Sequence, residues 1–179
     1  MMRPTPEADF ASTRKAVEAG ATPAAVLVSL HPEHSAAILA GTKTLELRRV
    51  LPAQPVSRMV IYETLRHGGA GAIVGVAAVV GQLRGITPEC LLASYPLAEI
   101  GVTPEQLAAY FAPAPGGRCS AFVLGPVERF PEPVPLPEGY KTAPQSWRYL
   151  DNKATDRLLA CSNPDAYLAT SAWWDTPDC

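Results

Sequence analysis

Three residues in the first third of the chain, Lys43, Glu46 and Arg48, carry the side chains best suited to chemistry, and they fall within the run Gly41-Thr42-Lys43-Thr44-Leu45-Glu46-Leu47-Arg48. From Thr44 onward apolar and polar residues alternate, the period of a half-buried strand, so Leu45 and Leu47 point one way while Glu46 and Arg48 point the other. Lys43 stands at the turn into that strand, which brings one acid and two bases together. In a concave site such a set would hold an anionic or amide-bearing ligand. Arg48 offers a planar fork of donors, and Glu46 either fixes the cations or accepts a base N–H. The same spacing also describes a solvated strand face with ordinary ion pairs, each worth little. The spacing alone leaves both readings open.

The elements on either side must position that set. Residues 25–30 read as a first strand, and Pro32 opens a helix through Ala40 that Gly41 ends as a left-handed cap. After a loop holding Pro52 and Pro55, residues 59–64 form a third strand and residues 72–83 a long fourth, with Gly75 and Gly81 marking bends or bulges. Thr87-Pro88-Glu89 and Thr103-Pro104-Glu105 each start a helix, with a Thr cap, Pro at the first helical position and an acid in the first turn. Residues 119–124 are a fifth strand. The proline-studded stretch 126–137 is expected to lie extended along the surface, because proline cannot donate to a central ladder. Residues 8–20 and 153–161 have helical character.

Bulk properties bound what the chain can be. Its 179 residues suit one domain with extensions, able to bury roughly two-thirds of the unfolded surface. At 47% hydrophobic and 18% charged residues it should be globular. The net charge of −2 gives no whole-molecule attraction to phosphate backbones, so nucleic-acid binding would need a local patch. The N-terminal segment lacks the apolar core of a signal peptide. The longest uncharged stretch, residues 68–83, is 16 residues, short of the roughly 20 that span a bilayer. A cytoplasmic protein with no membrane partner is expected. Cys90, Cys119, Cys161 and Cys179 lack a C-x-x-C pair and suit reduced thiols better than a disulfide framework or zinc site. His31 and His34 flank Pro32 without a third ligand, so no metal is expected, and nothing in the sequence requires a cofactor.

Other candidates lie near the motif strand. Tyr62 and Thr64 end the third strand and are placed to contact a ligand, although a tyrosine there also suits core packing with its hydroxyl at the edge. Trp147 and Tyr149 alternate with Ser146 and Arg148 on a terminal strand or extended segment, where Ser146 or Arg148 would line a cleft. Arg66-His67-Gly68-Gly69 reads as a basic hairpin turn. Trp173 and Trp174 read as anchors docking the C-terminal tail on its own domain.

The run from Gly41 to Arg48 matches the G-x-K-x-x-E-x-R signature of the ASCH domain, a PUA-like superfamily, and the chain resembles that family from about residue 25 to residue 150. The strand and Pro-led helix before the motif, Val60-Ile61-Tyr62, Ile73-Val74-Gly75, the helix ending Tyr110-Phe111 and Ala143-Pro144-Gln145-Ser146-Trp147 agree in order. The resemblance implies an α+β fold: a small β-barrel of five to six mostly antiparallel strands with flanking helices, spanning 25–150. Residues 1–24 then form an N-terminal extension and 151–179 a C-terminal helical extension docked on the domain. It further implies a module that binds RNA or a modified nucleotide in a cleft lined by the motif; with the neighbouring positions read above, the expected ligand-binding residues are Lys43, Thr44, Glu46, Arg48, Tyr62, Thr64 and Ser146. Some small relatives are amidohydrolases that deacylate acetylated cytidine with the motif lysine, a nearby threonine and a glutamate from a later loop. Carried onto this chain, that chemistry would fall to Lys43, Glu46 and Glu99. Here glutamate occupies the position of the threonine, and the neighbouring hydroxyl is Thr44. A regulatory module acting through protein contacts is a third reading.

Overall fold

The computed structural model describes residues 24–162. The helix expected at residues 8–20 and the Trp173-Trp174 pair lie outside them. Six strands, β1 (Ala24–Leu30), β2 (Leu45–Leu47), β3 (Val56–Glu63), β4 (Ala72–Ile86), β5 (Cys119–Val134) and β6 (Trp147–Leu150), form one mixed sheet in the order β2-β5-β4-β3-β1-β6. All pairings are antiparallel except β1 with β3. Helix α1 (Pro32–Leu39) follows β1, and α2 (Pro88–Ser94), α3 (Leu97–Ile100) and α4 (Pro104–Phe111) lie between β4 and β5. Helix α5 (Asn152–Ser162) comes after β6. Thr87 and Thr103 cap α2 and α4 as their sequences predict, Thr103 with a full capping box against Gln106.

Strand alternation sorts the core into three clusters. The inner face of the sheet gathers Val26, Val28, Met59, Ile61, Val79 and Phe122 beneath Ile38 of α1. On the outer face Leu27, Val60, Ile73 and Phe130 pack with Leu158 and Leu159 of α5. A third cluster joins Leu45 and Leu47 of β2 to Leu91, Ile100, Leu107 and Phe111 of α2 to α4.

Two expectations are corrected. The sheet does not close into a barrel by a backbone ladder: its edge strands are β2 and β6, and side chains bridge the gap between them. The chain leaving β2 crosses β6, where Trp147 Nε1 donates to the Val50 carbonyl at 2.7 Å and the Gln54 amide donates to the Tyr149 hydroxyl at 3.1 Å. With only three residues, β2 is too short to supply the missing rungs. The second correction concerns the prolines. β5 runs through Pro126, Pro131 and Pro133 to Val134 rather than ending at Leu124. Its register with β4 slips between Val79↔Leu124 and Ala77↔Val127, so one extra residue is absorbed at Gly125-Pro126. Past Leu124, β5 has lost β2 as a neighbour and is a free edge on that side, where proline's missing donor is tolerated. Register shifts on β4 also fall beside Gly75 and Gly81.

Among the described residues, Cys90 is exposed and Cys119 buried, both as free thiols, and no helix is long and apolar enough to cross a membrane.

Candidate functional site

The helix-to-strand turn delivers Lys43. Gly41 takes φ 74, a conformation open to glycine, and the amides of Thr42 and Lys43 both donate to the Ala37 carbonyl at 3.0 and 3.1 Å. Alternation along β2 then sends Leu45 and Leu47 into the third cluster, against α2 to α4, and turns Glu46 inward, in register with Phe122 of the inner face. The alternation is as expected, but neither face is solvated. Lys43 is 2% exposed, Glu46 5% and Arg48 8%. The reading of these residues as a solvated strand face of ordinary ion pairs does not hold.

Glu46 joins the two cations. Its Oε1 lies 2.8 Å from Arg48 Nη2 and its Oε2 3.8 Å from Lys43 Nζ. Lys43 Nζ also donates to the Ile100 carbonyl at 2.6 Å, while Arg48 Nη2 donates to the Ser29 carbonyl at 2.9 Å and Nη1 to Ser146 Oγ at 3.4 Å. Arg48 thus spans the unladdered gap between the strand edges. Its buried Nε has no partner among the described residues. Burial lowers the Lys43 pKa below the ordinary lysine value; Glu46 opposes that shift and Arg48 adds to it. Burial also lowers the pKa of His34, with Lys43 acting in the same sense and Glu46 and Glu33 against it.

These groups line a cleft of about 1140 Å³, together with Ser29, His31, Arg49, Thr64, Arg66, Tyr110 and Trp147. Its lining includes the basic side chains of Lys43, Arg48, Arg49 and Arg66 and the acidic ones of Glu33 and Glu46, four against two. Among the described residues no group of three His, Cys, Asp or Glu side chains is arranged to hold a metal ion.

Of the residues singled out from sequence, Lys43, Glu46, Arg48, Thr64 and Ser146 line the cleft, whereas Thr44, Tyr62 and Glu99 do not. Tyr62 follows Ile61 of the inner cluster, so alternation turns it outward against the cluster that holds Leu27 and Ile73. Thr44 and Glu99 are engaged with each other: the Thr44 amide donates to the Glu99 carbonyl at 3.1 Å, and its hydroxyl donates to Glu99 Oε2 at 2.8 Å. The carboxylate of Glu99 therefore braces the turn below Lys43, and it is the backbone one residue on, at Ile100, that meets Nζ. Sequence reasoning missed the Ser29 carbonyl, which has no side-chain signature, and Arg49 and Tyr110, which are 61 residues apart and meet only in the fold.

Gly101, at φ 75, closes α3 against the stem of Lys43; a Cβ there would lie 2.8 Å from Lys43 Cδ and 3.2 Å from Nζ. Gly101→Ala should lower stability by roughly 1–2 kcal/mol through the left-handed conformation alone. By pushing Lys43 aside it should also weaken ligand binding. Chemical denaturation and a binding titration on the same variant check both; wild-type values in each would show that Lys43 tolerates the methyl group.

Comparison with protein-family models finds no match, and neither does comparison with curated proteins. Among solved structures, the ASCH protein from Zymomonas mobilis is similar, with a TM-score of 0.67 and 26% identity over 78% of this chain and 96% of that one. A serine-to-alanine variant of that protein matches with a TM-score of 0.65 and 25% identity, covering 78% of this chain and 96% of that one. A tyrosine-to-phenylalanine variant matches with a TM-score of 0.66 and 26% identity, covering 78% and 99%.

Proposed function

The chain belongs to the ASCH-domain proteins, and on that premise we propose that it binds RNA or a modified nucleotide in the cleft around Lys43, Glu46 and Arg48. One observation carries this reading: a cleft lined by four basic side chains against two acidic ones, in a chain whose overall charge is −2. Positive charge is concentrated where a ligand can lie. The buried arrangement holds Lys43 and Arg48 in fixed directions, so an anionic ligand meets donors already oriented rather than mobile surface side chains.

Titration of a fluorescent single-stranded RNA of about eight nucleotides, at roughly 50 and 200 mM salt, tests this. Affinity should fall as salt rises, because phosphate contacts release counterions. Binding of a mononucleotide that is indifferent to salt would move the reading to a small ligand. Absence of binding to either would remove it.

A second reading, amide hydrolysis of an acylated cytidine-like nucleoside, is favoured by the depressed basicity of Lys43 beside Glu46. A lysine of this kind serves as a base near neutral pH better than an exposed one. Water would add to the amide carbonyl carbon, the C–N bond would break, and the proton taken from water would leave with the amine. Incubation with acetylated cytidine beside a Lys43→Ala control decides it, since turnover that does not depend on Lys43 ends this reading.

A further inference from the structure

Beyond the motif, the rim of the cleft carries an arginine that is exposed yet held in place from two directions. The guanidinium of Arg49 lies over the Tyr110 ring, 4.6 Å from its centroid, and Arg49 Nε donates to the Tyr110 carbonyl at 2.7 Å. Both residues line the cleft. An exposed arginine ordinarily samples many rotamers, and fixing one forfeits side-chain entropy. Here a ring and a hydrogen bond hold the plane of the group while leaving the residue open to solvent. Further along the same rim, Trp147 is fixed by its bond to the Val50 carbonyl at 2.7 Å, and Val50 itself is 69% exposed.

We propose that Arg49, backed by Tyr110, is a stacking platform for a nucleobase of the bound ligand. Guanidinium planes and aromatic rings both accept stacked bases, and they do so with little regard to base identity. A planar cation already seated on one ring can take a second planar group on its free face. Its position immediately after Arg48 suits a division of labour along one ligand: Lys43 and Arg48 take polar or anionic groups in the cleft, and Arg49 takes a base at the rim. This rests on the reading of the cleft as a nucleotide or RNA site. It goes beyond that reading by assigning the base to a residue outside the motif.

Arg49→Lys separates stacking from charge, since lysine keeps the cation and loses the plane. The test compares a short single-stranded RNA with the same oligomer made abasic, each titrated against wild type and Arg49→Lys. Wild type should favour the base-bearing oligomer about tenfold or more. The variant should lose most of that preference, bind the abasic oligomer as wild type does, and keep the wild-type salt dependence. Equal preference in wild type and variant overturns the platform and leaves the proposed function standing, with the Arg49–Tyr110 contact serving only to tie the end of β2 to α4. Failure of wild type to bind either oligomer removes the RNA reading of the cleft and the platform with it. Thermal melting of both proteins confirms that the variant is folded.

Discussion

Replacing Glu46 with alanine is expected to lower the stability of the fold by about 3–5 kcal/mol, because it leaves Lys43 and Arg48 buried together with no anion between them. In a chain of this size that is a drop in melting temperature on the order of 10 °C. The effect comes from the two charges left behind rather than from the intrinsic worth of the pair, since desolvation cancels much of the attraction in a buried ion pair. Glu46→Gln keeps the shape and some hydrogen bonding and should fall between wild type and alanine. Lys43 adds a pH dependence whose sign is fixed. Its native pKa lies below the ordinary 10.5. Between those two values the unfolded chain holds a proton that the native state has released, so stability rises with pH across that window. Removing Glu46 removes the influence that holds the pKa up, which should extend the window toward neutral pH. Urea unfolding at several alkaline pH values measures both effects. A loss below about 1 kcal/mol for the alanine variant would mean that water reaches the trio and screens it.

Arg48→Ala is expected to weaken binding of single-stranded RNA by about ten- to a hundredfold, and to reduce its dependence on salt by about one phosphate contact. Two properties of this side chain are lost together. Its guanidinium holds Glu46, the Ser29 carbonyl and Ser146 at once, and its buried Nε has no partner among the described residues. Arg48→Lys keeps a charge but cannot make those bonds from one plane, and should recover only part of the affinity. Fluorescence anisotropy at fixed salt gives the comparison, with circular dichroism to verify the fold. Wild-type affinity in both variants would place the ligand elsewhere on the protein.

Much of the architecture is legible along the chain because local chemistry and tertiary structure agree. Pro32, Thr87 and Thr103 mark helix starts that the fold uses, and Gly41 takes the left-handed turn its position requires. Where the reading went astray, the missing fact was a neighbour. Proline at 126, 131 and 133 excludes a central strand, as expected, but not an edge: β5 continues past Leu124 through all three, paired with β4 and free on its other side. Tyr62 is a plausible ligand contact until Ile61 is known to face the inner core. Glu99 carries the right carboxylate, but Thr44 has claimed it.

The motif strand, the order of elements around it and the meeting of Lys43, Glu46 and Arg48 follow from local pattern, because a period of two and a glycine cap act over a few residues. That those three side chains are buried rather than solvated is a property of the folded chain. That outcome depends on α1, α3, Ser29 and Ser146 closing around them from distant parts of the chain. The same is true of the cleft itself. It opens where β2 and β6 fail to pair, and a missing ladder between strands about a hundred residues apart leaves no trace in either segment read alone.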